Sequence, residues 1–234
     1  GADPSEIGRP GHPLEVFSSH EDRETVDAWM AEKGLRRPGS FFALAPGSTW
    51  ATKRWPVERF AELARRMLRL KDVVIIGGAS EKNLAASVLK MATQGRLRDH
   101  SGNEASQGVQ VGPHSRSRTP AHHLIHDASG RFSPPGSVHL LARSALLVSN
   151  DSGALHLGQA AGIPVLGLFG PTTADMGYVP RGPHDQVVGV QGLSCRPCGR
   201  HGADGCPLGH WRCMLDLDVD TVYRHLTDLF QGAA

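Results

Sequence analysis

Residues that could bind an anion and a sugar cluster in the segment SNDSGALHL, residues 149–157, where Asp151, Ser152 and Gly153 precede His156 by less than two helical turns. The free N–H groups at the start of a helix carry about half a positive charge and bind anions. We therefore expect Ser152 and Gly153 to approach a diphosphate, and Asp151 to accept hydrogen bonds from sugar hydroxyls. The alternative is that Asp151 or Ser152 only caps the helix, and that His156 is a satisfied, partly buried residue.

Three more loops have a similar character. One contains Ser48, Thr49 and Lys53, whose hydroxyl and ammonium groups would suit a diphosphate clamp. Glu81 follows another apolar run, at a position from which a carboxylate can hold ribose hydroxyls. The segment FGPTTADM, residues 169–176, adds two hydroxyls. Because the chain has neither GxGxxG nor GxxxxGK[ST], any nucleotide is held without these common fingerprints.

All the cysteines lie in one short segment with the spacing C-x2-C-x7-C-x6-C: Cys195, Cys198, Cys206 and Cys213. Four thiolates in a loop rich in glycine and proline favour one tetrahedral zinc or iron ion with a structural role. Two disulfides, or four reduced thiols without metal, are the alternatives.

A second group of metal-ligating residue types, His122, His123 and His126, is more typical of side chains that flank a short strand. The preceding residues 95–121 are polar and rich in glycine, which predicts a flexible surface insertion. Its arginines and histidines could contact an anionic surface, but a solvated loop is favoured.

Helices and strands must position these residues. The sequence predicts them from a repeated order of apolar run, glycine-containing turn and helical segment. The pattern predicts strands at 41–45, 72–78, 144–150 and 164–170, and helices at 20–33, 57–69, 81–93 and 153–161. Such runs are typical of a parallel sheet covered on both faces. The sequence therefore predicts an α/β fold with a Rossmann-like, doubly wound parallel sheet, whose ligand site lies at the carboxyl ends of the strands.

The domain organisation follows from the same pattern. Residues 1–40 are interpreted as an extended linker over 1–18 followed by a leading helix, which Ser19 can cap with Asp22 three residues further on. Residues 41–234 are interpreted as one nucleotide-sugar-binding domain that contains the insertion at 95–121 and the cysteine loop at 195–213. Lys and Arg total 25 against 23 Asp and Glu, which gives no basis in charge for a nucleic-acid partner. No apolar run approaches the roughly 20 residues of a membrane helix.

The segments APGSTWATKRWP, VVIIGG with its following glutamate, and LVSNDSGALHLGQAAGIPVLGLFGPT, together with the cysteine pattern, resemble glycosyltransferase family 9, the ADP-heptose:lipopolysaccharide heptosyltransferases. The resemblance runs from Leu14 to Phe230 apart from the insertion, and covers the linker and the carboxyl-terminal donor-binding half of a GT-B enzyme. It implies that Ser48, Thr49 and Lys53 meet the diphosphate and Glu81 the ribose. It assigns the diphosphate and the heptose to a further set: Asp151, Ser152, Gly153 and His156.

The resemblance also implies an inverting transfer of heptose from ADP-heptose to a lipopolysaccharide-core or related glycan acceptor. Lys53 would be the catalytic residue, since it would stabilise charge on the departing diphosphate without a cofactor. A cytoplasmic location and a peripheral association with the inner membrane follow from the same likeness. Some family members that act on proteins carry a four-cysteine iron site, so zinc and iron both stay open.

Because no acceptor domain precedes Leu14, this chain alone is expected to transfer little or nothing. Two other functions remain open: a GT-B transferase that uses UDP or GDP sugars, and a non-catalytic nucleotide-binding module with a structural metal.

Overall fold

The computed structural model describes residues 16–94 and 123–232. The predicted insertion at 95–121, His122 and most of the predicted linker lie outside the described residues. The helices and strands are, in chain order, α1 (His20–Glu32), β1 (Phe41–Ala45), α2 (Val57–Met67), β2 (Asp72–Ile75), α3 (Lys82–Gln94), β3 (Ile125–Asp127), α4 (Pro134–Leu141), β4 (Leu147–Asn150), α5 (Gly153–Ala160), β5 (Val165–Leu168), β6 (Gln186–Val188), α6 (Arg212–Leu215) and α7 (Val219–Gly232).

The six strands form one parallel sheet in the order β3-β2-β1-β4-β5-β6. This confirms the predicted α/β fold with a doubly wound sheet. The chain builds outward from β1 through β2 to β3, then returns to β4 on the other side of β1. The strand order therefore reverses between β1 and β4, and in such sheets this switch point is where ligands bind.

The sheet is apolar on both faces because alternate residues of each strand point to opposite sides. In β1, Phe42 and Leu44 pack into a core with α2, α3 and α7, whereas Phe41, Ala43 and Ala45 pack into a second core with α1, α4 and α5. All five residues of this strand are buried. Strands covered on both sides explain why their sequences read as continuous apolar runs rather than alternating ones.

The leading helix is confirmed as α1. Its cap is the predicted one: the Ser19 hydroxyl accepts from the Asp22 N–H at 3.0 Å, and the Asp22 carboxylate accepts from the Ser19 N–H at 3.0 Å. Val26, Trp29 and Met30 are its buried residues. The helix continues no further than Glu32.

Several predicted boundaries are wrong by a few residues. The strand predicted from residue 144 begins at Leu147, because the Ser144 N–H donates to Leu141 O in the turn that closes α4. The strand predicted over 72–78 ends at Ile75, and the last of the apolar residues, Ile76, only adds a bond to Leu44 O. The helices predicted at 57–69 and 81–93 occupy Val57–Met67 and Lys82–Gln94.

Four elements have no counterpart in the predictions: α4, β6, α6 and α7. The last is the long one, and it buries Val222, Leu226 and Leu229 at helical spacing. Its start is marked by Asp218, whose carboxylate accepts from the Thr221 N–H at 2.6 Å. Among the described residues, no helix has the length and apolar character needed to cross a bilayer.

Candidate functional site

The carboxyl ends of β1 and β4 lie side by side, with Ala45 of β1 opposite Ser149 of β4. The loop after β1 carries Ser48, Thr49 and Lys53, and the loop after β4 carries Asp151 and Ser152. Register alone therefore brings the two predicted loops together at the switch point of the sheet.

A buried ion pair joins these loops. The Lys53 ammonium lies 2.6 Å from Asp151 Oδ2, and the two side chains are only 9% and 6% exposed. The Thr172 hydroxyl, from the loop after β5, donates to the same oxygen at 2.5 Å. The ammonium also stands 5.4 Å from the centre of the Tyr178 ring, which adds a cation–π contact. Three loops thus meet at one cation.

Asn150, the last residue of β4, holds the β1 loop at both of its ends. Its side-chain amide donates to Pro46 O at 2.8 Å and its Oδ1 accepts from the Trp55 N–H at 3.2 Å. The asparagine is fully buried, so these bonds satisfy polar groups that have no access to water. The shape of the loop that carries Lys53 is therefore fixed by a side chain from the neighbouring strand.

Ser48 and Thr49 lie in the same loop with different exposure. Ser48 is buried and its hydroxyl points to Asp151 O at 3.5 Å, while Thr49 is exposed. Arg54 donates from Nε to Ser48 O at 2.9 Å and from Nη2 to Thr49 O at 3.3 Å. This guanidinium group braces the loop and adds a second positive charge near it.

Glu81 reaches the site from the loop after β2, in the short 3-10 turn Ala79–Glu81. Its carboxylate accepts from the Gly78 N–H at 2.7 Å and lies directly over Gly47, where any Cβ would overlap it. Gly47 has no side chain because the carboxylate fills that space. The glutamate predicted to bind ribose is therefore next to the loop predicted to bind diphosphate.

The start of α5 faces the same edge. Ser152 is the N-cap residue but caps with no side-chain hydrogen bond, and Asp151 is engaged by Lys53 instead. Neither side chain therefore gives the helix a capping hydrogen bond, although Ser152 occupies the N-cap position that the alternative assigned to one of the two residues. Gly153 has open space where a Cβ would stand, so a ligand can come close to its backbone. His156 is exposed and pairs with Gln159 at 2.9 Å.

The cysteine loop, residues 195–213, contains no disulfide: all four cysteines are free. A hollow of about 360 Å³ is lined by three of them together with four other residues: Cys195, Pro197, Cys198, Cys206, Pro207, Leu208 and His210. Cys213, the fourth cysteine of the loop, is buried. In the part of the chain that the structure describes, no group of three or more His, Cys, Asp or Glu side chains is arranged to hold a metal ion. His122, one of the three histidines considered above, lies outside the described residues, and the predicted metal centre at the cysteines stays a prediction.

The thiols of this loop differ in their acidity. Burial raises the pKa of Cys198 and of Cys213 above the usual value. The pKa of Cys206 is lowered, because backbone N–H groups donate to its sulfur, that of Trp211 most strongly. Arg196 stands beside them half buried, and burial lowers the pKa of its guanidinium group.

The sequence predicts that the site residues of three loops meet at one edge of the sheet, but it does not predict the residues that hold these loops in place. Asn150 and Tyr178 were not predicted, and Thr172 was noticed only as a hydroxyl after a strand. A signal was available for Asn150, because a polar side chain that ends a buried strand must find hydrogen-bond partners. Nothing in the sequence indicates that Tyr178 lies near Lys53.

The chain is similar to curated heptosyltransferases over most of its length. It is 24% identical over 201 residues to lipooligosaccharide heptosyltransferase 2 of Campylobacter jejuni, which covers 85% of this chain and 54% of that protein. It is 30% identical over 183 residues to lipopolysaccharide heptosyltransferase 1 of Pseudomonas aeruginosa, or 77% and 42% of the two chains. The chain thus spans about half the length of the curated relatives it matches.

The fold is shared with a solved structure described as the glycosyl transferase family 9 from Veillonella parvula. The TM-score is 0.70 at 21% identity, over 94% of this chain and 54% of the other. The family model of glycosyltransferase family 9 (heptosyltransferase) matches residues 10–97 and 120–208. The match includes every loop of the β1/β4 edge, and this chain therefore belongs to glycosyltransferase family 9.

Proposed function

We propose that the chain binds the diphosphate of a nucleotide sugar at the carboxyl edge between β1 and β4. The observation that carries the proposal is the buried Lys53–Asp151 pair beside the uncapped start of α5. An ammonium group and the free N–H groups of a helix start attract the same ligand, an anion. The Ser48 and Thr49 hydroxyls, in the adjacent loop, add neutral donors.

Asp151 needs an explanation, since a carboxylate by itself repels a phosphate. Both of its side-chain bonds end on Oδ2, one from Lys53 and one from Thr172. In the proposal the carboxylate fixes one N–H of Lys53, and the other two N–H groups of the ammonium serve the diphosphate. The second oxygen of Asp151 is then left to accept from a sugar hydroxyl, as the sequence predicts.

For the complete protein we propose inverting heptosyl transfer from ADP-heptose to a lipopolysaccharide-core or related acceptor. When the bond between the sugar and the diphosphate breaks, negative charge grows on the departing diphosphate. Lys53 and the start of α5 would stabilise that charge where it develops, which is the usual way such groups accelerate a reaction. Glu81 beside Gly47 would hold the ribose of the same donor.

This chain would be the donor-binding half of that enzyme. The matched part of the curated relatives, about half of their length, supports a division in which a further part binds the acceptor. The cytoplasmic location and the peripheral association with the inner membrane stay predictions of the family resemblance.

The proposal is tested by calorimetric titration of the chain with ADP, UDP and GDP under identical conditions. ADP is expected to bind at least about tenfold more tightly than the others, a difference of about 1.4 kcal/mol. Preference for UDP or GDP would instead indicate a GT-B transferase with another donor. Absence of binding to all three would contradict a nucleotide site at this edge.

For the four cysteines we propose a structural zinc or iron ion held by Cys195, Cys198, Cys206 and Cys213. The donor chemistry fits, because four reduced thiols lie in one loop and three of them border one hollow. The N–H groups directed at Cys206 favour its thiolate, which is the form that binds metal. Because no group of three such side chains is arranged to hold a metal ion among the described residues, metal binding is expected to rearrange the loop around the sulfurs.

Metal analysis of the purified chain tests this assignment. About one zinc or iron per chain is expected, and Cys206→Ala should reduce the content to background. A matched control is Ser194→Ala, an exposed residue next to the cysteine loop. Metal-free protein in both variants and in the wild type would overturn the proposal.

A further inference from the structure

The cysteine loop is joined to the Lys53 turn by three hydrogen bonds between Thr52 and Ala203. Thr52 lies in the 3-10 turn Ala51–Lys53, directly before the site cation, and is only 3% exposed. Its N–H donates to Ala203 O at 3.0 Å, its hydroxyl donates to the same oxygen at 2.9 Å, and the Ala203 N–H donates back to the hydroxyl at 2.8 Å. The two residues are 151 positions apart.

Gly202 shows how closely the two segments approach. A Cβ at this position would lie 3.0 Å from Trp50 Cβ, 3.1 Å from the Thr52 hydroxyl and 3.3 Å from Lys53 Cγ. Its φ of +94° is also one that side chains rarely adopt. The loop backbone therefore packs directly on the turn that aims Lys53.

The same loop also contacts Pro171 and Thr172, in the loop whose Thr172 hydroxyl binds Asp151, the partner of Lys53. Arg196 donates from Nη2 to Thr172 O at 2.9 Å, and the Cys198 N–H donates to Pro171 O at 3.0 Å. Thr172 is the residue whose hydroxyl binds Asp151. The cysteine loop thus bonds to a residue beside each member of the ion pair: Thr52, which precedes Lys53, and Thr172, which binds Asp151.

We propose that Thr52 is a positioning residue of the donor site, through which the cysteine loop sets the place of Lys53. The loop is then a part of the diphosphate site rather than a separate appendage. The identity of the ligand, a nucleoside diphosphate, rests on the proposed function. The coupling between the cysteine loop and Lys53 rests on the observed contacts. A threonine with only a structural role would affect unfolding but leave the folded site unchanged.

The test replaces Thr52 with valine, which keeps the shape and the N–H bond but removes the hydroxyl. We expect ADP to bind about tenfold more weakly to Thr52→Val, the size of one or two lost hydrogen bonds. Thr52→Ser, which restores the hydroxyl, should bind within about twofold of the wild type. Thr93→Val is the control, since its hydroxyl donates to Leu89 O and Lys90 O within its own helix, α3.

A second measurement does not depend on nucleotide binding. The rate at which the Lys53 amine is chemically methylated, followed by mass spectrometry, should rise about fivefold or more in Thr52→Val and stay unchanged in Thr93→Val. If the wild type fails to bind ADP but this rate rises, the coupling stands and the proposed ligand falls. If Thr52→Val unfolds more easily but keeps both the wild-type methylation rate and the wild-type ADP affinity, the positioning role is overturned.

Discussion

The β1/β4 edge and the cysteine loop are held together in different ways. At the edge, strand register places Ala45 opposite Ser149, and the side chains of Asn150, Asp151 and Thr172 then lock the loops above it. The cysteine loop has no regular element between Val188 and Arg212 and is held by a few hydrogen bonds to neighbouring loops, such as those of Ala203 with Thr52 and of Arg196 with Thr172. Repeated backbone pairing makes a rigid base, whereas a loop needs a cross-link or a docking surface to be ordered.

Because of this difference, substitutions in the two regions are expected to act on stability and on binding in different ways. Each buried charge at the edge needs an oppositely charged partner, because an unpaired charge in the interior lowers the free energy of unfolding. In the cysteine loop, four free thiols stand where a cross-link would give order. The edge should respond to substitutions through its charges, and the loop through its contacts with the edge.

The largest effect is expected for Lys53→Met, which leaves the buried Asp151 carboxylate without its counter-ion. The free energy of unfolding should fall by about 3–5 kcal/mol, measured by denaturant titration. ADP binding should weaken beyond about 30-fold, because a charged hydrogen bond to the phosphate is lost.

The double variant Lys53→Met/Asp151→Asn is the matched control for this effect. It removes both charges, so most of the stability should return while ADP affinity stays low. Recovery of binding in the double variant would show that the cation does not act on the ligand.

Substitutions at two glycines of α5 test its packing and its role in binding separately. Alanine at Gly158 would put a Cβ 2.7 Å from Leu147 Cδ2 and 2.8 Å from Val165 Cγ2, so its stability should fall by about 1–3 kcal/mol. Alanine at Gly153 meets no atom within 4 Å and should unfold like the wild type or slightly later. The Gly153 variant should nevertheless bind ADP several-fold more weakly, because its methyl group stands over the helix start. Equal ADP affinity in the two folded variants would remove α5 from the site.

The smallest expected effect is a loss of stability at acidic pH, caused by His126, which lies in neither region. Burial lowers the pKa of His126 below its ordinary value of 6.5. Below pH 6.5 the unfolded chain therefore binds a proton that the folded chain resists, so stability is lost as the pH falls through this range. Thermal unfolding from pH 7.5 to 5.5 should show a smaller decline in His126→Gln than in the wild type. The exposed His20, replaced in the same way, should leave the decline unchanged.

Much of the edge could be predicted because each of its parts is local. Apolar runs such as Phe41–Ala45 encode buried strands, and the polar residues that follow them encode loops at a common edge. Lys53, Glu81 and Asp151 were expected in one region for that reason, and the structure brings them there. Short elements such as β6 and α6 were missed, since three or four residues carry too little periodicity to be recognised.

The sequence by itself determined the parallel α/β class, the leading helix with its Ser19 cap, and which loops meet at the carboxyl edge of the sheet, since all of these depend on residue types a few positions apart. The tertiary structure alone decided that Asp151 pairs with Lys53, that Asn150 holds both ends of the neighbouring loop, and that Ala203 meets Thr52. These contacts join residues about 100 positions apart or more, and their partners are chosen by sheet order and packing rather than by any local pattern.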